Sequence, residues 1–179
     1  MLNTNRMSLS VGKVNIILGA WGLAMLIGGV ASQSFGLSAD TTLLVWGALT
    51  AIGVAAQIAS FVRGLEMNIT AWLIVIVAGW AFTLYVTKMS GGDLYPDLAG
   101  VWLILLGLGY VATAFQVDKR FFAFAALHIL VGLLMELSAR QIVSLGVLDQ
   151  YSSLIFGLVA GIPLIIAALP VWYTPANRA

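Results

Sequence analysis

The chain has 179 residues, of which 61% are hydrophobic and only 8% are charged, whereas about a quarter of the residues in a soluble domain are charged. Its formal net charge of +1 provides no basic surface for nucleic acid, so nucleic acid is excluded as a partner. The absence of cysteine excludes disulfides, thiolate metal sites and cysteine nucleophiles. A single histidine, His128, argues against a histidine-rich metal site within one chain.

Six long apolar runs follow one another along the chain, and almost every charged side chain lies between them. Each run is close to the ~20 residues with which an α-helix crosses a ~30 Å hydrocarbon core. We therefore predict an all-α, polytopic membrane protein with six transmembrane helices, and a single integral membrane domain over residues 1–179. The predicted spans are 14–32, 42–62, 69–87, 98–116, 121–138 and 152–172.

The positive charges predict the orientation of these spans. If the N-terminus is cytoplasmic, the cytoplasmic segments hold six of the eight Lys and Arg residues, and the opposite side holds only Lys88 and Arg140. Short loops follow the positive-inside rule, so we predict that both termini are cytoplasmic, in the plasma (inner) membrane. The six cytoplasmic residues are Arg6, Lys13, Arg63, Lys119, Arg120 and Arg178.

Spans two and four resemble each other at a shift of 56 residues, where Val45-Trp46 matches Val101-Trp102 and Gly53 matches Gly109. The repeated unit would be a two-helix hairpin, made of spans two and three and then of spans four and five. Span six, completed in space by span one, would add a third copy around an axis. The alternative is that membrane helices are built from few residue types, so that two of them align by chance.

Uncharged polar residues recur on one face of spans two and four, at helical spacing and close to the matching glycines. In hydrocarbon such side chains need a partner or a water-lined cavity. Two interpretations remain open: the residues line a narrow conduit for a small solute, or they form hydrogen bonds between neighbouring helices. The pore-lining candidates on these faces are Thr50, Gln57, Ser60, Thr113 and Gln116.

Span five carries the ionisable groups. His128, about 10 Å from the cytoplasmic start of the span, is a further pore-lining candidate that would sense pH or bind the solute. The alternative is a neutral, hydrogen-bonded core histidine. Glu136 and Arg140 lie one helical turn apart near the outer end and are predicted to form an external ion pair, the alternative being a group that selects solutes.

Enzyme motifs are absent from the sequence. It has no Gly-x-Ser-x-Gly elbow, no His-Glu-x-x-His, no phosphate-binding loop and no acidic cluster, which are the patterns that carry the commonest catalytic and metal sites. We therefore predict that the protein is not an enzyme, and we predict no cofactor and no metal.

Six spans in fewer than 200 residues, with short loops and a recurring hairpin, resemble two families of small-solute channels. These are the acetate/succinate permeases and the acid-gated urea and short-chain amide channels. The segment Gly53-Val-Ala-Ala-Gln-Ile-Ala-Ser60 resembles the second span of the acetate permeases, whereas Met7-Ser-Leu-Ser-Val-Gly-Lys13 stands where that family carries Asn-Pro-Ala-Pro. The resemblance implies a pore within each six-helix protomer and assembly as a homo-oligomer, a hexameric ring.

Together these observations predict a membrane channel or facilitator for a small polar or weakly acidic solute, such as acetate, urea, ammonia or a short amide. Its partners would be the lipid bilayer, the solute and further copies of the chain. The alternative is a non-catalytic structural or accessory subunit, which would pack against other proteins in a larger membrane complex.

Overall fold

Seven α-helices, and no strand, make up the part of the chain that the computed structural model describes. That part is 4–35, 39–59, 69–89, 97–116 and 119–169, with side chains described over 18–35, 40–54, 72–89, 97–115 and 119–169. The all-α prediction is therefore confirmed for these residues. The helices are α1 (Thr4–Ser34), α2 (Ala39–Ala59), α3 (Ile69–Lys88), α4 (Asp97–Gln116), α5 (Phe121–Ala139), α6 (Gly146–Gln150) and α7 (Ser152–Ala168).

Two helices in the described part of the chain are long and apolar enough to cross a membrane, judged by length and composition alone. They are Asp97–Phe115 and Phe121–Ala139, in the adjacent helices α4 and α5. Shorter apolar stretches occupy Asp40–Val54, Trp72–Lys88 and Ser152–Ala168. The six-span architecture therefore stays a prediction.

The long helices form two groups of three. In the first group, α1 packs most extensively against α7 and also contacts α2; in the second, α4 packs most extensively against α5 and also contacts α3. Helix α7 contacts α4 and α5 and so joins the groups, while the short α6 lies against α5 and α7. One apolar core continues through both groups and includes Leu103 on α4, Ala125 on α5 and Ala160 on α7.

Glycines bring the closest helix pairs into backbone contact. A Cβ added to Gly29 of α1 would lie 2.6 Å from the Cα of Gly157 on α7. In the α4–α5 pair, a Cβ added to Gly132 would lie 2.8 Å from the carbonyl oxygen of Gly100. Small residues at such positions allow many dispersion contacts between two helices, and any side chain there would separate the helices.

Four helices carry the spacing Trp-x6-Gly, and it places each tryptophan ring against a glycine of the neighbouring antiparallel helix. A Cβ added to Gly53, for example, would lie 2.6 Å from the Trp21 ring. The contacts are reciprocal, because each helix of a pair supplies one ring and one glycine. These Trp–Gly contacts are Trp21 on Gly53 and Trp46 on Gly28 between α1 and α2, and Trp72 on Gly109 and Trp102 on Gly79 between α3 and α4.

The Trp–Gly contacts define a repeated hairpin that begins one helix earlier than the predicted one. The predicted unit joined span two to span three, whereas these contacts join α1 to α2 and α3 to α4. The sequence match between spans two and four arises because both carry Trp-x6-Gly. A match between two helices does not reveal which neighbour each helix pairs with.

Polar contacts link several helix ends on one side of the bundle. Lys88, at the end of α3, donates a 2.9 Å hydrogen bond to the Asp40 carboxylate at the start of α2, and this hydrogen bond together with the positive charge lowers the pKa of Asp40. The Gln33 amide near the end of α1 donates to the Gln150 carbonyl at 3.0 Å. The ends of α1, α3 and α6 and the start of α2 therefore lie on the same side, as an up-and-down order requires.

We expect Gly29→Ala to lower the unfolding temperature of the protein in detergent micelles. Its new methyl would lie 2.6 Å from Gly157 Cα, and overpacking of this kind costs about 1–3 kcal/mol. Gly19→Ala is the matched control on the same helix, because the nearest atom, the Cβ of Ala168 on the same partner helix, is at 3.6 Å. Equal unfolding temperatures for the two variants would contradict the close approach of α1 and α7.

Candidate functional site

Buried polar and ionisable groups collect where α4 packs against α5. We call Asp97, Tyr110, His128, Glu136 and Arg140 the α4–α5 seam. The link between these helices, residues 117–120, is short, so residues at equal distances before and after it face each other. Asp97 and Arg140 are such a pair, since they lie the same number of positions before and after the link. The hairpin therefore brings together groups that are far apart in the sequence.

At one end of the seam, a single guanidinium lies near two carboxylates. Arg140 Nη2 is 3.5 Å from Glu136 Oε2 and 4.0 Å from Asp97 Oδ1. Arg140 is 61% exposed, whereas both carboxylate side chains are largely buried. The structure thus brings together Glu136 and Arg140, the residues of the predicted ion pair, and adds Asp97, which sequence reasoning missed. Asp97 could have been found from the sequence, because it lies as far before the link as Arg140 lies after it.

The Glu136 carboxylate fits against α4 because residue 100 is glycine. A Cβ at Gly100 would collide with Glu136 Oε1, so a larger residue would displace the carboxylate. That same oxygen is buried and has no hydrogen-bond partner among the described residues. One carboxylate oxygen of Glu136 is therefore close to Arg140, while the other has unused capacity to accept a hydrogen bond.

The end of α5 fixes the position of Arg140. Gln141, the next residue, has a positive φ of 57°, and its N–H donates to the Ser138 carbonyl at 2.8 Å. The N–H of Ile142 donates to the Leu137 carbonyl at 2.9 Å. These two bonds are the Schellman motif that closes a helix C-terminus, and they turn the chain sharply after Arg140.

His128 lies further along the seam and is 0% exposed. Its Nδ1 is 2.7 Å from the Phe124 carbonyl oxygen one helical turn earlier. Its Nε2 is buried and has no hydrogen-bond partner among the described residues. A buried polar atom left unpaired costs about 1–3 kcal/mol, so Nε2 is a site where a further hydrogen bond would be favourable.

Aromatic rings surround this part of the seam. The Tyr110 ring of α4 lies 4.8 Å from the His128 ring, is stacked at 6.1 Å on Phe121, and meets Phe124 edge-on at 6.0 Å. Phe121, Phe124 and His128 share one face of α5, since they are spaced at i, i+3 and i+7. We call Tyr110, Phe121, Phe124 and His128 the aromatic cluster. The spacing of its three α5 members is the sequence signal that would have found it.

Thr113, a predicted pore-lining residue, uses its hydroxyl for contacts between and within helices. It accepts a 3.0 Å hydrogen bond from the Trp72 indole of α3 and donates to the Gly109 carbonyl at 2.9 Å. Thr83 does the same in reverse, accepting from Trp102 of α4 at 2.9 Å and donating within α3. This arrangement is the one expected if these hydroxyls join neighbouring helices.

Of the other predicted pore-lining residues, the structure describes the side chain of Thr50 alone. Thr50 is half-buried on α2, outside the α4–α5 pair. Ser60 and the side chains of Gln57 and Gln116 lie outside the part of the chain that the structure describes. Of the predicted pore-lining residues, His128 alone is therefore known to lie on the seam.

Neither a metal cluster nor a known relative indicates the chemistry of the seam. Over the described residues, no group of three or more His, Asp or Glu side chains could hold a metal ion. Comparison of the chain with protein-family models, with curated proteins and with solved structures finds no match.

We expect a double-mutant cycle between Trp72→Phe and Thr113→Val to show positive coupling. Each single change removes the same 3.0 Å hydrogen bond, and a hydrogen bond within a protein contributes a net ~0.5–1.5 kcal/mol. The measurement is the free energy of unfolding in mixed micelles. The control cycle pairs Trp102→Phe with Thr113→Val, which share no bond and should be additive; equal coupling in both cycles would contradict the assignment.

Proposed function

We propose that the protein is a six-span protein of the plasma (inner) membrane, with both termini cytoplasmic. Large apolar side chains point outward on several helices: Leu44 on α2 is 74% exposed, Val77 on α3 65% and Leu130 on α5 62%. Extended apolar surface is unfavourable in water and marks contact with membrane or protein, whereas it is compatible with lipid. The bias of Lys and Arg toward the links on one side supports the orientation.

Within that membrane, the protein acts as a channel or facilitator for a small polar or weakly acidic solute, such as acetate, urea, ammonia or a short amide. The observation that carries this proposal is the fully buried Nε2 of His128, which has no hydrogen-bond partner among the described residues. An ionisable residue inside a membrane span is costly and is usually functional. Here it would offer a passing solute a hydrogen bond.

A second unpaired atom on the same helix supports a route along the α4–α5 seam. Glu136 Oε1 is also buried without a partner among the described residues. It lies eight residues beyond His128, or about 12 Å along a helix at 1.5 Å per residue. A solute moving along the seam would therefore meet two hydrogen-bonding sites in succession, and its passage would require α4 and α5 to separate where Gly100 and Gly132 bring their backbones into contact. Assembly as a homo-oligomer, a hexamer of such protomers, follows from the resemblance to small-solute channels.

The second candidate function is that of a structural subunit in a larger membrane complex. It is favoured by the use of side-chain hydroxyls for helix packing, since Ser32, Thr83 and Thr113 each accept an indole hydrogen bond, at 3.2, 2.9 and 3.0 Å. Native mass spectrometry in mild detergent distinguishes the candidates. A homo-oligomer favours the channel, whereas a stoichiometric complex with other proteins favours the subunit.

We expect purified protein in proteoliposomes to accelerate the uptake of labelled urea or acetic acid over protein-free vesicles, and His128→Leu to reduce that uptake about twofold to thirteenfold. This range corresponds to the loss of one hydrogen bond of about 0.5–1.5 kcal/mol. Met135→Leu, a volume-conserving change of another buried residue on α5, should retain wild-type uptake. Uptake by the wild type no faster than by empty vesicles would refute the channel.

The uptake assay also tests the pore-lining residues whose side chains the structure leaves undescribed. If spans two and four line the route, Gln57→Leu should reduce uptake as strongly as His128→Leu. If the route follows the α4–α5 seam alone, Gln57→Leu should change stability and leave uptake close to that of the wild type. The two variants assayed in parallel thus distinguish the two routes.

A further inference from the structure

We infer that the seam binds its solute as a neutral hydrogen-bond donor, held by the lone pair of His128 Nε2. The inference rests on the proposed channel function and specifies the chemical form in which the solute is recognised. Three features carry it: the bond made by Nδ1, the burial of Nε2, and the surroundings of the ring.

The bond at Nδ1 determines what Nε2 can offer. A backbone carbonyl oxygen only accepts hydrogen bonds, so the 2.7 Å contact with the Phe124 carbonyl requires a proton on Nδ1. In a neutral imidazole with its proton on Nδ1, the other ring nitrogen is an acceptor. Nε2 therefore presents a lone pair, and its complementary ligand carries an N–H or O–H group.

The surroundings of the ring disfavour an anion. His128 packs against Tyr110, which in turn packs against Phe121 and Phe124. The nearest described basic residues on the same chain segment are Arg120, eight residues before it, and Arg140, twelve residues after it, or about 12 Å and 18 Å away along a helix. An anion at Nε2 would thus face a lone pair without a nearby basic side chain on α5.

A definite class of solute follows from these features. Ammonia, urea, short amides and undissociated short-chain acids all carry an N–H or O–H donor and are neutral. Acetate as the anion has acceptors only and does not fit this site. The aromatic cluster favours a small solute, because the Tyr110 ring lies within about 6 Å of the three other rings.

The single histidine makes a direct test possible. In protein labelled with ¹⁵N-histidine and reconstituted in lipid vesicles, solid-state NMR reports on His128 alone, and His128→Gln identifies any background signal. We expect an unprotonated Nε2 and a protonated Nδ1. Formamide, a small neutral donor, should shift the Nε2 resonance more than the Nδ1 resonance, whereas acetonitrile, which has no N–H or O–H donor, should leave Nε2 unchanged.

The outcomes separate this inference from the proposed function. A protonated Nε2, or equal responses to formamide and acetonitrile, overturns the inference. If the wild type accelerates uptake over empty vesicles while formamide does not shift the Nε2 resonance, the channel function stands and the recognition site at His128 is wrong. If Nε2 responds to formamide but the protein transports nothing, the binding site stands and the transport function is wrong.

Discussion

The close approach of helix backbones at glycine is the contact on which the rest of the structure depends. Backbones this close allow many dispersion contacts between two helices. Gly100 and Gly132 let α4 and α5 come into backbone contact. That approach also sets the distance at which the Tyr110 and His128 rings meet. The position of the seam's groups is thus a consequence of small residues beside them, since Gly100 contacts the Glu136 carboxylate and Gly132 lies about one helical turn from both His128 and Glu136.

Most of the long helices could be predicted from the sequence to within a few residues. The runs 69–87 and 121–138 became Ile69–Lys88 and Phe121–Ala139, because charged residues bound these apolar stretches. Helix α1 starts ten residues before its predicted span, at Thr4, since a helix can continue through polar residues that hydropathy does not detect. The five-residue α6 was missed because so short a helix carries no periodic pattern.

The neighbours of each helix, and with them most of the site, could not be predicted. Spacing along a helix identifies a face, but it does not say which helix lies against that face. Thr113 illustrates this limit: its position beside Gly109 was visible, whereas its bond to Trp72 depends on the pairing of α3 with α4. Trp-x6-Gly in four helices indicates that these helices form reciprocal antiparallel contacts, but the same spacing in all four does not say which two helices form a pair.

The reciprocal Trp–Gly contacts also fix the alignment of each helix pair, because the two contacts of a pair form or break together. Sliding one helix along its partner would carry both rings off both glycines at once, and no one-turn displacement restores either contact, because ring and glycine are separated by about two turns. Each hairpin thus has one well-fitted setting. Its tryptophans are built-in optical reporters of that setting, since an indole leaving its glycine changes environment and therefore fluorescence.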